Sequence, residues 1–501
     1  MRDKRICDCL EVFASTGMKD QHFDCGSWAM GLNDKDKELA FTPAYRLEEL
    51  IRKKEVSPVE VLDAIFRRIE VINPKVNAFL SLAKDEAYRS AREAERAVIA
   101  GEDLGPLHGI PISIKDLIEV KGMPTTFGFA VLCNNIPKTE GPMIGRLRKA
   151  GAIIIGKTNT PEAGLAIHCE NKLAETRNPW NTDRTSGGSS GGAAAAVAAG
   201  ISPLAVGTDG GGSIRIPASL SGVYGLKPTT GRVPLDVKDW GVNHVLCLGP
   251  LTRNVRDAAM LLNVMAGPDR SDYTCIRTPP ADYLKELEGS TKRLRIAASL
   301  DLDYGVRVDQ EATSAFEKAV KIFESLGHIV EKAAPKSIPP FELWDINVST
   351  RIFFPFGFLL EEHPDELSDY AKFYLELARD SKGVDVAKSW IQVEKIRRYF
   401  ADFFDEYDLL LSPTTAVPAF KIGQRDRSLG KGGIDWAFCP FTAAFNFARN
   451  PGASVPCGFS SEGLPIGLQI VGRFGDEVTV LQASLAFEQA QPWADSRPTI
   501  S

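Results

Sequence analysis

The sequence predicts an α/β fold, with a central mixed β-sheet covered by helices on both faces and a helical, aromatic-rich cap or insertion. Three observations predict it. Strand-like and helical segments alternate from about residue 57 to about residue 300, the pattern that layered α/β domains produce. Residues 330–440 then turn aromatic and helical, and strand signals return between Leu409 and Val471. With 501 residues the chain has room for two or three ordinary domains or one unusually large unit. We read it as an extension over 1–40, one large domain over 41–495 with its cap at 330–440, and a tail over 496–501.

The elements follow in order. Residues 1–40 show no convincing period and read as a loosely ordered extension. Ser57-Pro58-Val59-Glu60 is a capping box with Pro at the first helical position, and Leu62, Ile65, Ile69 and Ile72 follow at helical spacing until Asn73-Pro74 stops the run. Residues 83–100 form an Ala-rich, charge-laced helix that ends at Gly101. Ile110 to Asp116 alternates as a short strand should, which leaves Lys115 near its carboxyl end. A helix over 143–150 precedes a buried strand at Ala152–Gly156. Further on come a strand at 294–298, a helix at 311–326, a long helix at about 385–406, and strands at 409–412, 453–456 and 467–471.

Composition excludes several classes of function. Hydrophobic residues make up 44% and charged residues 25%, ordinary values for a globular protein. A net charge of -6 carries no sign of the basic surface that nucleic-acid binding needs, nor of a polybasic membrane anchor. The N-terminal MRDKRICDCLEVFASTG lacks the apolar core of a signal peptide. The most apolar long stretch, Ala193 to Gly207, is short and contains Pro203, so it is no membrane span. Nine cysteines, at 7, 9, 25, 133, 169, 247, 275, 439 and 457, are scattered and form no CxxC pair. They read as free, mostly buried thiols of a cytoplasmic protein that needs no metal.

Chemistry concentrates in residues 187–231, which hold 12 glycines in 45 positions. Two clusters stand out, Gly187-Gly188-Ser189-Ser190-Gly191-Gly192 and Asp209-Gly210-Gly211-Gly212-Ser213-Ile214-Arg215. Consecutive unobstructed N–H groups form a nest for anionic oxygen, and a serine beside such a nest can attack a carbonyl while the nest holds the oxyanion. A flexible linker would have the same composition, but the helical run Ala193–Ala199 and the apolar flanks Val206 and Ile214–Ile216 argue against one. A phosphate loop is excluded by the absence of a Gly-Lys-Ser/Thr ending or a GxGxxG opening a helix. The six histidines (22, 108, 168, 244, 328, 363) lie in unrelated settings, and neither serine sits in a G-x-S-x-G elbow. A Ser–Lys arrangement remains. It requires a desolvated lysine, and Lys115, at the end of an apolar strand, could be one. On local sequence alone, the default for Lys115 is still a surface charge or an ion pair.

The combination resembles the amidase signature family over about residues 44–495. The resemblance rests on Asn178-Pro179-Trp180-Asn181, Arg184, the first Gly/Ser cluster, Gly207-Thr208-Asp209, Gly211 to Arg215, Pro217-Ala218-Ser219 and Gly225-Leu226-Lys227-Pro228-Thr229. Leu107-His108-Gly109-Ile110-Pro111 leading into Lys115-Asp116, Gly156-Lys157-Thr158-Asn159 and Gly463 to Gln469 also fit. The resemblance implies an amidase-signature fold with Ser213 as acyl-forming nucleophile, Ser189 as a bridging serine after a cis peptide bond, and Lys115 as base. It further implies an oxyanion hole from the N–H groups of Gly210, Gly211, Gly212 and Ser213, braced by an Asp209–Arg215 ion pair and the Ser190 hydroxyl, with no cofactor. Gly210 departs from the Ile or Thr common in the family and is expected to loosen the oxyanion loop slightly; Ser186 stands where Pro is common.

The expected activity is hydrolysis of a carboxamide C–N bond through an acyl-serine. Two rivals share the fold. One is the glutaminase-type A subunit of a tRNA-dependent amidotransferase, whose branch usually carries Gln where this chain has Ile216. The other is a binding protein without catalysis, against which all three triad positions speak. Residues 341–447 hold 21 of the 43 aromatics, and those at helical spacing (Phe400, Phe403, Phe404, Tyr407) read as core. Since Arg and Lys are sparse beside Phe353–Phe358, the expected substrate is a small neutral aryl or alkyl amide. The sequence also permits a homodimer.

Overall fold

The computed structural model describes residues 33–235, 245–289, 292–430 and 433–500. Cys7, Cys9, Cys25, His22 and His244 lie outside the described residues. In chain order the strands are β1 (Phe79–Leu82), β2 (Pro111–Lys115), β3 (Ile153–Thr158), β4 (Arg177–Asn178), β5 (Asn181–Thr185), β6 (Leu204–Asp209), β7 (Tyr224–Lys227), β8 (Cys247–Thr252), β9 (Arg295–Ala298), β10 (Ile329–Lys332), β11 (Leu409–Pro413), β12 (Gly452–Phe459) and β13 (Pro465–Gly472). Strands β4 and β5 pair as a separate ribbon, and the other eleven form one sheet in the order β1-β3-β2-β6-β8-β7-β12-β13-β11-β9-β10. The sheet is mixed: β3, β2 and β6 run parallel, as do β11, β9 and β10, and antiparallel pairs join them.

Alternation along the strands explains why both faces are covered. Ile296, Ala298, Leu409, Leu411 and Ile470 enter one apolar core, while their neighbours Ala297, Leu410 and Val471 enter another. Successive side chains on a strand point to opposite faces, so this sheet must bury both. The second core is built largely by the helices Phe341–Phe356, Phe358–Glu362, Asp369–Asp380 and Gly383–Glu406, which lie in the chain between β10 and β11.

Two expectations need correction. The stretch read as a loose extension to residue 40 contains a helix, Asp34–Phe41, whose Asp36 is buried and takes a salt bridge from Arg67 at 2.6 Å. A polar segment of this length shows little apolar period, and its anchor is an ion pair 31 residues away that periodicity cannot reveal. Pro74 does not end the helix begun by the Ser57–Glu60 capping box. That helix runs to Val76 and closes on Asn77 in the left-handed conformation. So near a C-terminus the missing Pro N–H removes one helical bond without breaking the last turn. No helix among the described residues is long and apolar enough to cross a membrane.

Candidate active site

Parallel pairing of β2 with β6 brings the site together. Their register sets Ile114 opposite Val206, so both carboxyl ends, Lys115 on one and Thr208-Asp209 on the other, reach the same edge of the sheet. In open α/β sheets that edge is where ligands bind. The helix Gly191–Ala198 packs behind these strands with every residue buried, which only a run of Gly, Ala and Val permits at such short range. Ser190 is its N-cap residue, and the Gly188–Ser189 peptide before it is cis.

Lys115 is fully buried, and its Nζ lies 2.6 Å from Ser189 Oγ, 3.0 Å from Ser190 Oγ and 2.8 Å from Thr208 Oγ1. All three neighbours are hydroxyls, which can accept from an ammonium or donate to a neutral amine. Burial without a touching carboxylate pulls the lysine down to about 7, although Cys169 and Asp209 pull weakly the other way. Two other lysines are equally buried. Lys157 has Asp116 at 3.0 Å, and Lys227 donates to the Pro228 carbonyl at 2.9 Å. Neither touches a serine of the glycine clusters. The described histidines also bond elsewhere or not at all: His108 to Ala94, His363 to Glu366, and His328 to the Leu294 N–H. Burial, reinforced by Arg425 and Arg427, drives His168 down to about 3.

The second glycine cluster faces the first. The Ser190 N–H donates to the Ser213 carbonyl at 3.1 Å, and Ser213 is half-buried. Its hydroxyl is not hydrogen-bonded to Ser189 in this arrangement. Asp209 and Arg215 form a fully buried pair, with Nη2–Oδ1 at 2.9 Å and Nε–Oδ2 at 3.0 Å. Burial opposes the charge on Asp209, but Arg215, Lys227 and the hydrogen bond from Asn446 outweigh it and hold the carboxyl well below its usual range. The four expected oxyanion donors are not equivalent. The Gly212 N–H is taken by Asp209 Oδ1 at 2.8 Å, which removes it from the expected set. The N–H groups of Gly210, Gly211 and Ser213 have no partner among the described residues.

A cleft partly open to solvent runs up to Thr208. Leu117, Met143, Ile144, Leu235, Leu246 and Leu248 are among its walls, so among the described residues its lining is aliphatic rather than aromatic. Two charged side chains of opposite sign, Glu119 and Arg351, also line it. The expectation that a charged acyl group finds no partner beside Phe353–Phe358, where Arg and Lys are sparse, therefore meets an exception at Arg351. The aromatics of that segment do not line the described part of the cleft: Phe356 packs on Phe127 and Phe129, and Phe354 is 81% exposed.

Of the residues singled out in the sequence, Lys115, Ser189, Ser190, Asp209, Arg215 and the 210–213 loop are gathered at this edge. Thr208 was visible only as part of a motif, with no role attached. Asn446, Thr442 and Trp344, which all touch the loop, carried no local signal because they lie more than a hundred residues away in sequence.

Comparison with known proteins places this geometry in a family. The Amidase family model matches residues 60–481. The chain is 38% identical to an acylamidase of Rhodococcus erythropolis over 481 residues, 93% of this chain and 99% of the relative. It is 35% identical to the A-type component of the glutamyl-tRNA(Gln) amidotransferase of Carboxydothermus hydrogenoformans, across 92% of this chain and 100% of that one. Among solved structures, a bacterial aryl acylamidase of the amidase signature enzymes superposes with a TM-score of 0.84 at 32% identity, covering 91% of this chain and 97% of its own. A 6-aminohexanoate cyclic dimer hydrolase bound to substrate also gives 0.84, at 30% identity over 92% and 99%. With matches over nine-tenths of its length, the chain belongs to the amidase-signature family of amide-hydrolysing enzymes.

Proposed function

We propose that the protein hydrolyses neutral aryl or alkyl carboxamides through an acyl-enzyme on Ser213. The observation that carries the reading is the fully buried Lys115, held among three hydroxyls and drawn down to about 7 by desolvation. At neutral pH a large fraction is an uncharged amine, which is what a general base must be. Lys115 takes the proton of Ser189 as Ser189 takes that of Ser213, and Ser213 Oγ attacks the amide carbon. The oxyanion is received by the N–H groups of Gly210, Gly211 and Ser213. The proton returns along the same chain to the leaving amine, and water then repeats the path to release the acid.

The substrate class follows from the cleft. Its described walls are mainly aliphatic, which favours an uncharged apolar group. An acylamidase and an aryl acylamidase among the similar proteins support this choice. Amidotransferase components of the A type, at about the same identity, favour a second reading, a glutaminase that works with partner proteins. The two separate on one panel. Purified alone, without tRNA or ATP, the protein should turn over an anilide or alkyl amide with kcat/KM at least about tenfold above that for glutamine or asparagine. A clear preference for the amino-acid amides would replace the first reading with the second.

A further inference from the structure

Each peptide plane of the Asp209–Ser213 loop is held by its carbonyl. The Asp209 carbonyl accepts from Asn446 Nδ2 at 2.9 Å, that of Gly210 from Trp344 Nε1 at 2.8 Å, that of Gly211 from Thr442 Oγ1 at 2.6 Å, and that of Gly212 from the Ile216 N–H at 2.7 Å. In a trans peptide the following N–H points opposite to the carbonyl, and the only cis bond among the described residues is Gly188–Ser189. Fixing four carbonyls therefore aims four N–H groups, of Gly210, Gly211, Gly212 and Ser213, away from the groups that hold those carbonyls. That of Gly212 ends on Asp209, and the other three remain available for an oxyanion.

Trp344 differs from the other holders. Asn446 also binds the Asp209–Arg215 pair, and the Thr442 carbonyl accepts from Arg215. The Trp344 indole donates only to the Gly210 carbonyl, from the helix Phe341–Phe356, and packs edge-on against Tyr374 and Trp436 at 5.8 and 5.3 Å. It also occupies the space beside Gly211, where a Cβ would lie 2.6 Å from Nε1. Glycine at 210, expected to loosen the loop, is thus held by a side chain from the helical layer.

We infer that Trp344 is a positioning residue that aims the Gly211 N–H at the transition-state oxyanion by holding the Gly210 carbonyl. The inference rests on the proposed acyl-serine reading. Losing an oxyanion donor outright costs about 100-fold or more in kcat, and misaiming one should cost about tenfold.

The test compares wild type with Trp344→Phe, which keeps a ring and loses the N–H. A second variant carries 3-benzothienylalanine at position 344, which has the indole shape and lacks only the donor, so a packing defect cannot mimic the result. Both should lower kcat for a neutral anilide about tenfold and leave KM within about twofold. Affinity for a boronic acid that forms a tetrahedral adduct with the serine should fall by the same factor, and the acid limb of the pH profile should not move. Thr442→Val frees an N–H that Asp209 already holds, so it should lose less kcat than Trp344→Phe. Unchanged kcat in the benzothienyl variant, or lost kcat with undiminished boronic-acid affinity, would overturn the assignment while leaving the amidase reading intact. A wild type that neither cleaves amides nor binds the boronic acid would remove that reading and this inference together.

Discussion

The proposed chemistry turns on the protonation state of Lys115. If it is the base, kcat/KM should fall as pH drops through about 7 and stay high into the alkaline range. Lys115→Met should lose activity by about 10³-fold across that range. The same burial has a measurable effect on stability. Between about 7 and the ordinary lysine value of 10.5 the unfolded chain holds a proton that the folded chain has released. Wild-type stability from this group therefore rises with pH in that window, by up to about 1.4 kcal/mol per pH unit. Lys115→Met lacks this slope, so any stability advantage it shows at pH 7 should shrink as pH rises towards 10, as denaturant unfolding at several pH values would reveal. A parallel pH dependence in the two proteins would mean that Lys115 is not released of its proton by burial. In sequence, the lysine at the end of an apolar strand and the two Gly/Ser clusters were legible, because a strand end and a glycine run are local features. The desolvation that lowers Lys115 was open in sequence, where a surface charge stayed the default, because burial depends on the tertiary packing around the strand end.

Helices with local caps were read to within a residue or two, as at Ser57-Pro58 and at Gly101, because the capping chemistry is contained in four or five consecutive residues. Strands whose stability is tertiary were not. β8 (Cys-Leu-Gly-Pro-Leu-Thr) contains a glycine and a proline that argue against a central strand, yet it lies between β6 and β7 with Pro250 opposite Val206. The strand order is likewise set by crossovers that no local pattern encodes. The loop between β6 and the short helix Arg215–Ser221 is braced by a buried ion pair, and breaking one partner of such a pair leaves an uncompensated charge. Asp209→Asn should therefore destabilise the fold by about 3–5 kcal/mol, measured as a shift in urea midpoint at constant m-value. A loss below about 1 kcal/mol would mean that the carbonyl and amide acceptors around Arg215 (Thr442, Gln469 and Asn446) suffice to hold it.

Taken whole, the molecule sets a rigid sheet edge against a helical layer, and the two meet at the 209–213 loop. The aromatic wealth of residues 341–447, read from the sequence chiefly as core, does pack on itself in the second core rather than around the described part of the cleft. Among the described residues, the cleft is lined instead by aliphatic side chains from the helix Pro142–Lys149, strand β8 and the loops beside them, with Arg351 reaching in from the helical layer. Burial of a ring and exposure to a ligand have the same signature in sequence, and only the packing separates them. The central claim is that Ser213 becomes acylated under the control of Lys115 through Ser189. It is tested most directly by labelling the protein with an aryl fluorophosphonate and mapping the adduct by peptide mass spectrometry. The account predicts a single phosphonyl group on Ser213, none in Ser213→Ala, and labelling slowed by orders of magnitude in Lys115→Met and strongly in Ser189→Ala. An adduct on another residue, or amide turnover retained by Ser213→Ala, would contradict it.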